Sequence, residues 1–449
     1  MKIANKNVLV IGVAKSGYSA VNMLVAQGAS AFVFDKDFER AQAIIKYKLV
    51  EDSVTPIKKI TRNFLKGIDL VVISPGVAIK NKQVMLAKKM GIEVIGELEL
   101  GYRIVKCPLY AITGTNGKTT TTEMLGAIFR QAKYVTHVVG NVGNPITAVA
   151  VESRKSDISV CEVSSYQLES TSNFHAYGVG VTNIEPDHLE RHGNMQNYIN
   201  TKLKIFANST KTDFAVLNAD DEVVSRFTEK LICRKYFFSL NRPIQGVYLK
   251  DGKVVFCEGK KITTLFDADS LKVLGRHNLA NAMLASAMAF LAGITPEVIA
   301  SALANFGGVA HRLEFVKKIN GVDFYNDSKA TNPSSTLVAV SAFEVPILLI
   351  LGGSDKGADF RGMFRQLPNN VRAIFVCGDT KKSIMDAAKK EGFLAIEGVA
   401  DLEEAVLRAT GLAKQNEVIL LSPACASFDA FNNYEHRGEV FKALVQELE

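Results

Sequence analysis

The sequence predicts an α/β protein of three domains, each built on a mostly parallel sheet. A short β-branched run ending in glycine occurs three times: NVLVIGVAKSG from Asn7, PLYAITGTNGKTT from Pro108 and PILLILGGSDKG from Pro346. Each run is unbroken rather than alternating, as a parallel strand covered on both faces requires. Each is followed by an amphipathic helical pattern, which completes the strand–turn–helix grammar of α/β folds. A chain of 449 residues, 47% of them apolar, has room for two or three such cores.

The first domain, residues 1–98, reads as Rossmann-like. After VLVIG comes a turn with Gly12 and Gly17, then the helical stretch YSAVNMLVAQG. SAFVFDKD sets Asp35 at the end of a second strand, where an acid can hold a ribose. The dinucleotide fingerprint is incomplete, because Ala14 stands where its second glycine belongs. LVVISPGV closes the domain with another strand and a turn at Pro75–Gly76 that offers backbone groups to a ligand.

The second domain, residues 99–308, carries the clearest chemistry, and its fold is of the P-loop ATPase type. GTNGKTT follows a buried strand, but it is shorter than the usual GxxxxGKT loop: Ile112 stands where that spacing wants the first glycine, which comes instead at Gly114. Gly114 and Gly117 let backbone N–H groups of the loop turn inward without an obstructing Cβ. The helix that follows offers unpaired amides and its positive end. Lys118 adds a mobile charge for β and γ phosphates, and Thr119 or Thr120 can ligate Mg²⁺. The site calls for ATP or GTP. ISVCEVSSYQLE then puts Glu162 at the end of another strand, where it can either hold Mg²⁺ or simply cap the strand. VGVTNIEPDHLERHG follows a further strand with Asn183, Asp187 and His188. Lys202 and Lys204 in TKLKIF have the spacing of a solvated helix face.

The third domain, residues 309–449, begins after Gly307–Gly308 breaks a helical pattern. PILLILGG again marks a Rossmann-like α/β unit.

Charge and cysteine content narrow the function class. The net charge of +7 suits anionic ligands, yet no dense basic run or aromatic-interleaved basic patch favours nucleic acid. Six cysteines show no metal spacing, which is the pattern of free thiols in a reducing compartment. The N-terminal apolar run is too short for a signal peptide, and no apolar run is long enough to span a membrane.

GTNGKTTT, GNVG at 140–143, EVSSYQLE, NIEPDHLERHG and TKLKIF, in this order, resemble the Mur ligases. These are ATP-dependent, amide-forming enzymes of peptidoglycan precursor synthesis, in which the shortened loop is the normal form. GRHNLANAMLA, HRLEF, NDSKATNPSST, LGGSDKGADF and LSPACASFDAFNNYEHRGEVF extend the likeness over nearly the whole chain. NDSKATN with SPACAS is similar to the branch that adds D-glutamate to UDP-N-acetylmuramoyl-L-alanine.

The resemblance implies a cytoplasmic, monomeric enzyme using ATP and Mg²⁺. It implies that Gly12, Lys15, Ser16, Gly17, Asp35, Ser74, Pro75, Gly76 and Asn141 hold the UDP-linked substrate. Gly114 to Thr120, with Asn278, Asn281, Arg312, Asp327 and Lys329, would hold ATP. Thr119, Glu162, His188 and a carbamylated Lys202 would serve the metal. Thr331, Lys356, Ser427, Phe428 and Tyr434 would enclose D-glutamate, with Lys118, His188, Lys202 and Lys356 as the catalytic set. Phe428 and Tyr434 depart from the leucine and phenylalanine expected there, and both keep an apolar wall.

Three rival readings make other demands. A folate polyglutamate ligase would start near the glycine loop, whereas about a hundred residues precede it here. An NAD-dependent dehydrogenase would want glycine at Ala14 and leaves GTNGKTT unexplained. A nucleic-acid motor or nucleotide-binding scaffold would want a full-length loop and basic tracking segments.

Overall fold

The computed structural model describes residues 2–48, 53–273, 275–354 and 357–448. It divides into two compact units, Met1–Ser270 with Leu279–Ala304, and Leu271–Asn278 with Asn305–Glu449.

The first unit holds two sheets. Strands β1 (Asn7–Ile11), β2 (Ser30–Phe34), β3 (Val54–Pro56), β4 (Leu70–Ile73) and β5 (Glu93–Gly96) pair in parallel in the order β3-β2-β1-β4-β5. Both faces are covered. Val8, Val10, Val33, Leu70 and Val72 enter one core, while Leu9, Ile11, Val71 and Ile73 enter the other. This explains why the strands read as continuous apolar runs. Full burial of each such side chain contributes about 1.5–3 kcal/mol, more than strand propensity can. LVVISPGV does not close this sheet, because β5 follows and pairs with β4. The four residues EVIG, half polar at their start, carry no unbroken apolar signal.

The second sheet has nine strands: β6 (Leu109–Thr113), β7 (Thr136–Gly140), β8 (Ile158–Glu162), β9 (Gly178–Val181), β10 (Phe214–Asn218), β11 (Arg234–Ser239), β12 (Gly246–Lys250), β13 (Lys253–Glu258) and β14 (Lys261–Asp267). Their order is β14-β13-β12-β11-β10-β9-β6-β8-β7. From β7 to β12 the pairing is parallel, and β13 and β14 add an antiparallel extension. The winding leaves β6 toward β7, returns to β8 beside β6, and continues through β9 on the other side. The carboxyl end of β6 therefore faces the reversal of winding, where open α/β sheets form ligand crevices.

The second unit has β15 (Glu314–Ile319), β16 (Val322–Asn326), β17 (Ile347–Gly352), β18 (Val371–Cys377), β19 (Ile396–Gly398) and β20 (Val418–Leu421), ordered β15-β16-β20-β17-β18-β19. All neighbours run parallel except the β15–β16 hairpin. Asn320 and Gly321 at its turn both have positive φ, +50° and +81°, as a tight two-residue hairpin loop requires. Among the described residues, no helix is long and apolar enough to cross a membrane.

Candidate functional site

The glycine loop lies between β6 and the helix Lys118–Gln131. Gly117 is its N-cap with φ +79°, and a Cβ there would collide with the Asn281 side chain. The loop is held from the next strand connection. Asn183 accepts from Thr115 N through its carbonyl (2.9 Å) and from Asn116 N through Oδ1 (2.8 Å). Thr182 Oγ1 donates to Asn116 O at 2.6 Å. With these bonds the chain curls around the space in front of the helix start, whose first-turn amides have no partner within the helix. The result is an anion cradle.

Two lysines converge on this cradle. Lys118 Nζ donates to Thr115 O at 2.8 Å, and Lys202 Nζ donates to Gly114 O at 2.6 Å. Lys202 belongs to the helix Met195–Leu203 and is only 2% exposed, so it does not lie on a solvated face. Burial pushes its amine down to about 7, and the Lys118 charge adds to this, against the pull of Asp187 and Glu162. One turn earlier, Tyr198 lies buried with its ring 4.7 Å from Lys202 Nζ and its hydroxyl 3.0 Å from Thr115 Oγ1. The sequence reading missed Tyr198. The available signal was its i, i+4 spacing to Lys202.

Glu162 ends β8, in register with Ile112 of β6. Its Oε1 accepts from Asn141 Nδ2 at 2.7 Å, while Oε2 is buried and accepts no hydrogen bond. A buried carboxylate oxygen left bare is costly unless a cation or donor meets it. His188 has a left-handed φ of +52° and sits on an exposed turn with Asp187, Glu190 and the Tyr166 ring. No ion pair joins it to Glu162. Among the described residues, no three His, Cys, Asp or Glu side chains are grouped to hold a metal. Thr119 and Thr120 are buried in the helix's first turn.

The β1 turn is organised differently. Asp35 accepts from Val13 N (2.9 Å) and Asp37 N (3.1 Å), so it braces its own turn. Ser74 Oγ donates to Gly12 O at 2.8 Å, and a Cβ on Gly17 would strike that same carbonyl. Lys15 Nζ reaches Gly143 O of GNVG at 2.6 Å. Pro75 and Val77 carbonyls accept from Arg191 Nη2 at 3.5 and 3.3 Å. Ser16 and Gly76 flank these contacts. A cleft of about 750 Å³ lined by Tyr102, Arg103, Cys107, His175 and Tyr177 lies at the opposite, starting end of β6, and no candidate residue lines it.

In the second unit, Asp327 follows β16 and is buried. Burial pushes its carboxyl up to about 7, against hydrogen bonds from Ser422 Oγ (2.7 Å) and Leu313 N (3.2 Å) and the charge of Arg312. Lys329 Nζ lies 5.9 Å from the centroid of the Tyr434 ring, and Thr331 N donates to Lys329 O. Ser427 is buried, whereas Phe428 is 67% exposed, its amide donating to Ser354 Oγ. Asn278 groups with this unit and Asn281 with the other, where it accepts from Thr121 Oγ1 at 3.3 Å. Lys356 lies outside the described residues.

A phosphate-type cradle at the winding reversal of a parallel sheet, followed by a second α/β unit, defines an α/β enzyme with a nucleotide-type site. Comparison with known proteins narrows this. Residues 6–96 match the Mur ligase MurD-like N-terminal domain, 112–289 the Mur ligase middle domain, and 311–425 the Mur ligase glutamate ligase domain. The chain belongs to the Mur ligase family. It is 41% identical over the full length of both chains to a Thermoanaerobacter sp. (strain X514) protein named UDP-N-acetylmuramoylalanine–D-glutamate ligase. Proteins of the same name from Alkaliphilus metalliredigens (42%, 100% of this chain and 99% of the relative) and Clostridioides difficile (40%, all of both) match likewise. The fold is shared with the UDP-N-acetylmuramate-alanine ligase MurC of Thermotoga maritima (TM-score 0.62, 20% identity, 98% and 99% of the two chains). It is also shared with MurF of Acinetobacter baumannii (TM-score 0.60, 17% identity, 99% and 92%).

Proposed function

We propose that this protein is the ATP-dependent ligase that joins D-glutamate to UDP-N-acetylmuramoyl-L-alanine in peptidoglycan precursor synthesis, acting as a monomer in the cytoplasm. The substrate assignment is supported by full-length relatives of that name at 40–42% identity. The observation that carries the chemistry is the meeting of Lys118 and Lys202 at one loop, with the half-bare Glu162 carboxylate at the end of the neighbouring strand acting electrostatically on Lys202. On this reading residues 1–98 hold the UDP-linked substrate, 99–308 hold ATP, and 309–449 hold the incoming amino acid.

The alanyl carboxylate is a poor electrophile and attacks the γ-phosphate of ATP to form an acyl phosphate and ADP. The D-glutamate amine then attacks the acyl carbon, and the tetrahedral intermediate collapses to the amide and phosphate. Lys118 neutralises phosphate charge as the carboxylate approaches. With the Thr115 and Asn116 amides held by Asn183, the loop from Gly114 to Asn116 shapes the cradle, the amides at the helix start from Gly117 to Thr120 orient the phosphates, and Asn278, Asn281, Arg312, Asp327 and Lys329 complete the ATP site. The Gly12–Gly17 turn, Asp35, Ser74–Gly76 and Asn141 seat the UDP-linked substrate. Thr331, Lys356, Ser427, Phe428 and Tyr434 form the acceptor pocket, in which Lys356 pairs with a carboxylate of D-glutamate.

The Glu162 carboxylate fits Mg²⁺, since its buried Oε2 accepts no hydrogen bond, while His188 stands apart on its exposed turn. The bare oxygen of Glu162, with Thr119, His188 and a carbamate on Lys202, would hold the ion, and it would screen the crowded anionic oxygens. Carbamate forms when a neutral amine takes up CO₂ and releases a proton. An amine held down at about 7 supplies that neutral form at physiological pH. The product reverses the sign of charge at Lys202.

Phosphate release from ATP tests the assignment. With UDP-N-acetylmuramoyl-L-alanine present, D-glutamate should complete turnover, while L-glutamate, L-lysine and meso-diaminopimelate should not. Equal turnover with L-lysine or diaminopimelate overturns it.

A further inference from the structure

The helix Tyr434–Glu447 carries Arg437 one turn from its start, and that side chain is buried, with the residue 3% exposed. Its guanidinium donates to three separate segments. Nε reaches Ser328 Oγ (2.9 Å) and Nη2 reaches Ser328 O (2.8 Å). Nη2 also reaches Cys425 O (3.1 Å), while Nη1 reaches Ala426 O (3.3 Å) and Gly352 O (3.4 Å). These contacts use the full fork of donors that arginine possesses. No carboxylate pairs with it among the described residues. Burial therefore pulls its pKa down to about 10, yet the group stays charged at neutral pH. Four of the five partners are backbone carbonyls.

Two of those segments lead directly into residues assigned to the acceptor pocket, Thr331 after Ser328 and Ser427 and Phe428 after Cys425–Ala426. Ser328 stands beside Lys329 and Thr331, Gly352 precedes Ser354, and Cys425–Ala426 precede Ser427 and Phe428. Ser328 Oγ also donates to Tyr434 O at 2.8 Å, which ties the fourth segment in. Ser354 N donates to Ala426 O at 2.9 Å, so two of the segments also meet directly. Burying a cation costs several kcal/mol, and an apolar side chain would fill the volume without that cost. What an apolar side chain cannot do is fix three loops to one planar group.

We propose that Arg437 is a positioning residue that sets the affinity for the incoming amino acid by holding the 328–331, 352–354 and 425–428 segments in register. The inference rests on the D-glutamate reading of this unit. The fork is what matters, not the charge, because the side chain reaches its partners at fixed angles and its donors go to protein atoms of the three segments.

Arg437→Lys keeps the charge and loses the fork. In the phosphate-release assay it should raise the KM for D-glutamate about tenfold or more, the equivalent of one lost charge-assisted hydrogen bond. The KM for the UDP-linked substrate, whose assigned residues lie in the first unit, should stay within about twofold on the same scale, and any rise in the KM for ATP, through Asp327 and Lys329 beside Ser328, should be smaller than that for D-glutamate. Parallel rises in all three, a fall in kcat alone, or an unchanged KM for D-glutamate overturns the inference. If Arg437→Lys does not fold, Ser328→Ala decides, since it removes only the Nε and Tyr434 tethers: the same selective rise supports the proposal, and no selective rise ends it. Wild-type enzyme is the control. If it ignores D-glutamate, the functional reading fails; if it uses D-glutamate and the variants keep its KM, only the role of Arg437 fails.

Discussion

Two strand–glycine–helix turns in the first unit use the same local grammar and are backed by opposite chemistry. The turn after β1 connects through Ser19 Oγ and Thr147 Oγ1, 2.8 Å apart, to Glu97, whose Oε1 accepts from Thr147 N (2.9 Å) and Thr147 Oγ1 (2.7 Å). Glu97 is buried, its Oε2 is bare, and burial pushes its carboxyl up to about 7. The turn after β6 is backed by Lys202, whose amine burial pushes down to about 7. One turn rests on a buried acid and the other on a buried base, and burial drives both toward neutrality. The first turn satisfies itself through Asp35 and Ser74. The second gathers two amines and a half-bare carboxylate, an arrangement suited to bind charge.

The largest expected effect separates the turns by chemistry. Lys118→Ala should lower phosphoryl transfer by about 10²–10³-fold, the usual loss when a group meeting developing charge is removed, with circular dichroism unchanged. Near-normal ATP turnover would take the phosphate role away from the β6 turn.

Next comes the buried acid. The folded-state pKa of Glu97 lies above its ordinary 4.5, so its stabilising contribution is complete below 4.5 and is lost as pH rises through about 7. Glu97→Gln removes that loss while keeping an acceptor for Thr147. Measured by denaturant unfolding, the variant should gain about 3 kcal/mol on wild type between pH 4 and pH 8. A pH-independent difference would show that Glu97 does not hold its proton. Lys202 has the opposite sign: its folded pKa lies below 10.5, so in CO₂-free buffer stability should rise from pH 7 toward 10.5.

Lys202→Ala should cut activity by about 10–100-fold, as loss of a metal-site group commonly does. Millimolar formate or acetate should restore part of it by filling the carboxylate position. Lys204 is exposed and its amine donates to Glu169 O at 3.1 Å, away from the glycine loop, so Lys204→Ala should change little. Full activity in Lys202→Ala, or a dead Lys204→Ala, would invert the assignment.

Lys15→Ala should have the smallest effect. It removes one exposed hydrogen bond to Gly143 O, so the KM for the UDP-linked substrate should rise only about two- to tenfold. A loss as large as that of Lys118→Ala would make the two turns equivalent.

The α/β class, the strand starting each domain and the loop residues Gly114 to Thr119 were legible in the sequence, because unbroken apolar runs and glycine spacing are local properties of the chain. The edge strand β5 and the antiparallel β13–β14 extension were not, because a short strand at an edge or outside a parallel array has no unbroken apolar run. Lys202 and Lys204 show the limit most sharply. Sequence spacing makes them alike, as two cations on one helical stretch. Only packing against Tyr198 and Gly114 strips water from one amine and leaves the other in solvent. Arg437 is a comparable case, since its partners come from positions 328, 352, 425 and 426. Local chemistry set which groups could act. The burial of each group, and with it the charge it carries, depends on neighbours far away in the chain, and so was decided only by the tertiary structure.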